Sequence, residues 1–400
     1  MPALPQELID AILNHVNDRQ TLKACSLVAS SFVPQSQRHL FHTIDLDALT
    51  PRKKAYTRFV RLLTLNPLLG TYVRSLRLGD DSDEFGSYRS WLIHAKNLPQ
   101  LFQHLTRLEA FSLTFNDSDE MDWKSIPAEI RSALGRLFRL PTLQAVSLEF
   151  IRGFPIHLLL GLTLLKQLSL SCVDVDSNDV VVHSHSVSEL RELHLRGTPP
   201  PTIAAISHCL SQSSSTLRRL AITPTLESGF CSAVSDLMIA VGSNITHFEW
   251  LPSIHFSPSS VPIDISQLPH LRHLKFIISF RKFHLRDHFD EMLHILGPIS
   301  TDINNKIEII ELECNLMRWL DNKSLKAQWR PLEKVLDKDG FRNKLKEIRV
   351  GLSVSTNVPS DRSRMVTGFS TDLFASLRKR GVVISVQDQG RTNDRFLDFV

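Results

Sequence analysis

Leu190-Arg191-Glu192-Leu193-His194-Leu195-Arg196 is the stretch whose reading decides the fold. Its leucines fall at the first, fourth and sixth places, and the last two alternate with Glu192, His194 and Arg196. A period of two is what a strand with one buried face requires, because successive side chains leave opposite faces of the pleat. Working outward, the same phrase returns at Val73/Leu76/Leu78, Leu108/Phe111/Leu113, Leu143/Val146/Leu148 and Leu165/Leu168/Leu170 on the N-terminal side. On the C-terminal side it returns at Leu217/Leu220/Ile222, Ile245/Phe248/Trp250, Leu271/Leu274/Phe276, Ile307/Ile310/Leu312 and Leu345/Ile348/Val350. The middle residues of successive copies are 35, 35, 22, 25, 27, 28, 26, 36 and 38 positions apart. Triplets alone decide little, since chance supplies roughly fifteen in a chain where about a third of residues are large and apolar. The polar interleaving carries the weight, as in Arg74-Ser75-Leu76-Arg77-Leu78 and His273-Leu274-Lys275-Phe276.

Between the copies the periodicity turns helical. Ile130, Leu134, Leu137 and Phe138 form one such set; Ile203, Ile206, Cys209 and Leu210 a second; Val234, Leu237, Met238 and Val241 a third. Phe289, Leu293 and Leu296 form a fourth, which Gly297-Pro298 is expected to end. A last unit is expected at Val382, Ile384 and Val386, after a helix from about Thr371 to Arg380 that Gly381 terminates. Strand, turn, helix, turn at this period describes an α/β solenoid. A doubly wound open sheet is the rival, but its strands would be near-continuous Val/Ile runs rather than polar alternations. A solenoid also accounts for the 60 leucines among 400 residues, a length too great for one compact core.

Composition narrows the function classes. With 42% hydrophobic and 22% charged residues the chain is neither disordered nor membranous, and its longest apolar run, Leu158 to Leu165, is too short to span a bilayer. No secretory leader is expected, because Met1 is followed directly by a polar-punctuated helix pattern through Gln6, Glu7 and Asp10. Cys25, Cys172, Cys209, Cys231 and Cys314 are odd in number and include no C-x-x-C pair, so free thiols in a reducing compartment are expected. The formal charge of +4, from 46 basic and 42 acidic residues, is too balanced to argue for nucleic acid.

Residues 1–46 read as a separate helical unit. Pro5 opens a helix whose Leu8, Ile12 and Val16 recur on one face; a second helix fits Asp18 to Ala29 with Leu22, Cys25 and Val28 as its stripe; a third runs from about Pro34 toward Phe41. Three short helices bury too little surface to stand alone, so this unit should lean on a partner or a neighbour. Residues 47–69 follow as a connector in which Arg52, Lys53, Lys54, Arg58 and Arg61 accompany Phe59, Val60, Leu62, Leu63 and Leu65 on an amphipathic helix. The repeating region is placed at 70–390 and a tail at 391–400.

The N-terminal unit resembles the F-box, and is similar in particular to the F-box proteins numerous in mushroom-forming fungi. The resemblance is carried by Leu4-Pro5-x-Glu7-Leu8, Ile12, Val16, Leu22-Lys23-Ala24-Cys25-Ser26-Leu27-Val28, Phe32, and His39-Leu40-Phe41 leading to Ile44 and Leu46. It covers about a tenth of the chain, and Phe32 stands where tryptophan is commonest. The remainder resembles a degenerate leucine-rich repeat array, which implies an irregular, horseshoe-like solenoid. The Asn or Cys that this family carries three residues after the last leucine is met by Asn116 and Asn315, by Thr198, Thr225, Ser253, Ser279 and Ser353, and not at all by Ile151 and Val173. Hydroxyls can partly replace such an amide ladder.

The resemblance implies a substrate-recognition adaptor of a Skp/cullin/F-box ubiquitin ligase. In such a protein the helical unit docks on the Skp linker and, through it, on cullin, while the repeats hold a protein to be ubiquitinated. By carry-over, docking falls to Leu4, Pro5, Leu8, Ile12, Leu22, Val28 and Phe32, with an intramolecular core role as the alternative for each. A repeat scaffold that carries an F-box without any degradation role is the alternative function. For target capture, the residues interleaved in the strand phrases face away from the leucines: His194, Arg196, Arg219, His247, Glu249, His273 and Lys275, then Glu308, Glu311 and Glu313. They read as a basic stretch followed by an acidic one, suited to a partner of mixed charge. An intracellular setting, cytoplasmic or nuclear, follows from the same family.

Catalysis finds no support: the chain has no P-loop, no dinucleotide-binding glycine fingerprint and no G-x-S-x-G elbow, so neither enzyme nor cofactor is expected. His284 and His288 lack the H-E-x-x-H glutamate, His183-Ser184-His185 reads as loop, and Asp80 to Glu84 lacks the spaced ligands of a calcium loop; no metal is expected. The basic connector is the best hint toward nucleic acid or anionic lipid, but a solvated helix is the simpler reading, and neither a nucleic acid nor a membrane is expected as partner. Asn116-Asp117-Ser118, Asn244-Ile245-Thr246 and Asn322-Lys323-Ser324 match the glycosylation pattern without a secretory route to make it matter.

Overall fold

A computed structural model describes residues 4–46, 52–80, 90–115, 120–160, 162–176, 189–211, 216–225, 227–251, 263–280, 285–302, 304–316, 322–354 and 374–388. The chain is mixed α/β with a large parallel sheet, and divides into two compact units near Leu168.

The first unit opens with three helices, α1 (Gln6–Asn14), α2 (Arg19–Val28) and α3 (Val33–His42). Pro5 stands just before α1, where its missing N–H is harmless, and its carbonyl accepts from Leu8 and Ile9. The Asp18 carboxylate caps α2, accepting from the Thr21 N–H at 2.7 Å. Ile9, Leu13 and Leu22 form the helical core, with Val16, Cys25, Phe32 and Leu40 packed against it. Of the stripe Leu8, Ile12 and Val16, the first two point outward and Val16 packs on the core, while the neighbouring stripe, Ile9 and Leu13, is buried. Two apolar stripes lie side by side on this helix, and sequence periodicity does not choose between them.

From α3 the chain runs directly into β1 (Thr43–Asp45), which pairs with β2 (Ser75–Gly79) after α4 (Arg52–Leu65). β3 (Ala110–Thr114) and β5 (Ala145–Phe154) continue the parallel order, and the short β4 (Met121–Asp122) pairs with the far end of β5. α5 (Leu98–His104), α6 (Ala128–Leu137) and the single turn α7 (His157–Leu160) lie between the strands. Phe102, Phe111, Phe138, Phe154 and Trp123 meet in succession edge to face at 5.0 to 6.2 Å between ring centres. That geometry suits the ring quadrupoles and ties helix to strand across this core.

The second unit holds β6 (Gln167–Val175) to β13 (Val383–Asp388) in chain order. Between them come β7 (Glu192–Arg196), β8 (Arg219–Thr223), β9 (His247–Trp250), β10 (His273–Phe280), β11 (Ile309–Leu316) and β12 (Glu347–Val354), all parallel from β7 onward. Helices α8 (Pro200–Ser211), α9 (Phe230–Val241), α10 (Leu285–Ile299), α11 (Asn322–Leu336) and α12 (Ala375–Lys379) alternate with them. Every copy of the strand phrase thus ends on a strand, and its apolar residues are buried. Two expectations need adjusting. α10 continues through Gly297-Pro298 to Ile299, because a proline in the last turn removes only one ladder bond. α12 begins only after the left-handed Phe374, residues 371–373 of the expected helix lying outside the described residues, while Gly381, at φ +85°, follows it as foreseen.

One carbonyl sets the register at most steps. The Arg74 carbonyl accepts from both Glu109 and Ala110, the Glu109 carbonyl from Gln144 and Ala145, and the Gln144 carbonyl from Lys166 and Gln167, at 2.7 to 3.0 Å. The second unit repeats the device at Arg191, Arg218, Thr246, Arg272 and Glu308. Side chains reinforce it, as when Thr142 and Thr216 donate to the carbonyls of Leu108 and Leu190 at 2.6 and 2.9 Å. The hydroxyl ladder is partial: Thr198 is fully buried and donates to the Leu170 carbonyl at 3.1 Å, whereas the buried Thr225 hydroxyl finds no partner among the described residues. Asn116 lies outside the described residues, as does Ser253.

Candidate functional site: an exposed helical face and a charged strand face

The N-terminal helices present apolar side chains that their own core does not use. Leu8 and Ile12 are 51% and 54% exposed, and Leu4, Val28 and Leu27 are more open still. Pro5 is exposed beside them. Leu27, the most exposed of the set, was not singled out from the sequence, although it sits within the quoted α2 motif. Leu22 does not belong to this face, because it is buried in the helical core, and the half-buried Phe32 packs against that same core. Exposed large apolar side chains at this density on a small helical unit are what a docking surface requires. Gln6 ties the face to the third-helix approach, donating to Asp10 at 2.7 Å and to the Ser31 carbonyl at 2.9 Å.

In the second unit the interleaved residues lie on the sheet face opposite the leucines, as the pleat dictates. Parallel pairing puts His247 beside Arg219 and His273, and Glu249 beside Ala221 and Lys275. Lys275 in turn stands beside Glu311, and Glu311 beside Arg349. The expected basic and acidic stretches therefore do not form separate patches. Strands from distant repeats bring opposite charges together: Arg219 reaches Glu249 at 3.4 Å, and Lys275 reaches Glu313, Glu311 and Glu249 at 2.9, 3.5 and 3.9 Å. His273 donates to Glu311 at 3.2 Å, and Arg349 meets Glu347 at 2.8 Å. Arg196 is exposed at the end of β7, and Glu308 precedes β11, paired with Lys346 at 3.0 Å. Arg349 and Glu347 were not picked from the sequence, although they occupy the same interleaved places in the Leu345/Ile348/Val350 copy.

The titrations follow from this packing. Burial works against the Lys275 ammonium, but Glu249, Glu313 and Glu311 outweigh it and hold its pKa above the ordinary lysine value. The hydrogen bond from His273, with Lys275 adding to it, holds the Glu311 carboxyl down at about 2. Burial, helped by Arg219 and Lys275, brings His194 down to about 4, so it is neutral at pH 7. Burial, then His273 and Arg219, lowers His247 as well. The face is a nearly neutral strip with fixed charge positions. It can read a partner by the placement of charge.

Of the remaining sequence features, His183 to His185, His284 and Asp81 to Glu84 lie outside the described residues. Asp80 is buried and its carboxylate accepts from the Trp91 N–H at 3.1 Å. Among the described residues no group of three His, Cys, Asp or Glu side chains could hold a metal ion, and no helix is long and apolar enough to cross a membrane. Comparison of the chain with models of known protein families and with curated proteins found no match.

Proposed function

We propose that the protein is a substrate-recognition adaptor of a Skp/cullin/F-box ubiquitin ligase, its N-terminal helices docking on the Skp linker and its strand repeats holding the protein to be modified. The observation that carries the reading is the outward face of α1 and α2. A small helical unit that already buries Ile9, Leu13 and Leu22 in its own core still exposes Leu4, Leu8, Ile12, Leu27 and Val28. Leaving five large apolar side chains in water is unfavourable by roughly 1.5–3 kcal/mol each relative to burying them, and a partner groove for amphipathic helices relieves it. The charged strip of β7 to β12 supports target capture, because an extended strand face with fixed charges selects by complementarity rather than by chemistry.

The test is a pull-down of the full chain with the Skp linker, scored also for cullin. Wild type should be recovered with both. Leu8→Ala/Ile12→Ala removes exposed side chains only, so it should fold normally and lose at least tenfold in recovery. Undiminished recovery of that variant, or no recovery of wild type, overturns the docking reading. Linker recovery without cullin points to the scaffold role instead.

A further inference from the structure

We propose that the outer face of α4 is an attachment surface for a membrane bearing anionic lipid headgroups. Between Asp47 and Asp80 the chain has no acidic residue and seven basic ones. Where the fold itself has to accommodate these cations it supplies acids from elsewhere: Arg74 meets Glu109 at 3.2 Å and Arg77 meets Asp45 at 3.4 Å. Lys54, Arg58 and Arg61 are exposed and have no carboxylate partner among the described residues. At positions i, i+4 and i+7 they line one side of the helix, while Tyr56, Phe59, Val60 and Leu63 fill the opposite, buried side.

What distinguishes this stripe from an ordinary solvated helix face is the leucine set into it. Leu65 follows Arg61 by four residues, which puts it in the same line as the three cations, and it is 75% exposed; Leu62 beside it is 37% exposed. The next turn adds Leu68 at 69%. A hydrated polyanion such as nucleic acid rewards cations and polar groups and gains nothing from leucines in the same line. A lipid surface accepts both, the cations at the headgroups and the leucines at the acyl boundary. Three cations and two or three leucines give reversible attachment rather than permanent anchoring. This proposal is independent of the docking role of α1 and α2, since it uses none of their residues.

The experiment is flotation of the full chain with vesicles of phosphatidylcholine alone and of phosphatidylcholine with phosphatidylserine. Wild type should float with the anionic vesicles only, and high salt should release it. Arg58→Glu/Arg61→Glu should weaken partitioning by at least tenfold, and Leu65→Ser/Leu68→Ser by about tenfold at unchanged charge. Leu8→Ala/Ile12→Ala should float like wild type. All these substitutions are at exposed positions, and an unchanged melting temperature verifies folding. The proposal is overturned if wild type ignores anionic vesicles. It is equally overturned if the leucine pair has no effect while an acidic polymer competes fully, which would mark the stripe as a site for nucleic acid or an acidic protein.

Discussion

Glu291, on α10, is a carboxylate placed where its charge is unwelcome. It is buried and accepts a hydrogen bond from the Trp250 indole N–H at 3.0 Å, so burial raises its pKa to about 7 against that modest compensation. With the folded value above the unfolded one, the carboxyl favours folding when neutral. That contribution is complete below about pH 4.5 and is lost as pH rises through about 7, a swing of about 3 kcal/mol. Glu291→Gln keeps an acceptor for Trp250 and cannot ionise. It should therefore be more stable than wild type at pH 8, by up to about 3 kcal/mol more than at pH 4, in paired denaturant titrations. An equal difference at the two pH values would refute this account. Residues of this kind were not legible beforehand, because Glu291 sits among ordinary helical residues in the sequence and only the fold brings Trp250 to it. Leu8 and Ile12 were legible as a pair on one face, but not as the exposed pair, since Ile9 and Leu13 offer an equally good stripe one residue along. Most charges of the strand face were found, Arg349 and Glu347 excepted, yet the mutual neutralisation of Arg219, Glu249, His273, Lys275, Glu311 and Glu313 was hidden, because the partners are separated by 26 to 38 residues.

At the level of elements, the strands were the most readable part, since the leucine phrase marks the start of each strand that carries it to within two residues, and only β1, the short β4 and the last strand stand outside it. Their ends were not. Phe150 and Cys172 sit at φ +60° and +51°, each five residues into its strand, and Gly197 occupies the equivalent place after β7 at φ +57°. A left-handed residue here turns the chain so that the next residue, Ile151, Val173 or Thr198, is again directed into the core. Only the glycine is a sequence signal for this; Phe and Cys are not, which is why the bend could not be read from two of the three copies. Gly197 is doubly constrained, because a Cβ there would stand 2.8 Å from the Cys172 Sγ. Gly197→Ala should destabilise by about 1–3 kcal/mol, and Cys172→Ala in that background should return part of the loss. Thermal melts of the two variants decide it, and additivity of the two losses would refute the contact. α10 makes a complementary point: Gly297-Pro298 reads as a stop, but in a last turn it is merely tolerated.

For the molecule as a whole, each strand of the second unit bonds only to its sequence neighbours, so stability there is a sum of local terms with short reach. Leu352, fully buried on β12, should cost about 2–5 kcal/mol when cut to alanine. Hydrogen exchange read by mass spectrometry should show protection lost from β11, β12 and β13 and retained in β7 and β8 of the same molecule. Uniform loss across the unit would mean a single cooperative core in place of linked repeats. The carbonyl that receives two N–H groups at the start of most strands has a further consequence. Alignment is decided at that one atom, before the strand begins, and owes nothing to how many residues came between. A loop or helix between two strands can therefore grow or shrink while every strand beyond it keeps its place. Within the second unit, repeats as unequal as 26 and 38 residues then stand in one ladder, and the segments joining the strands are where the chain is free to acquire new sequence.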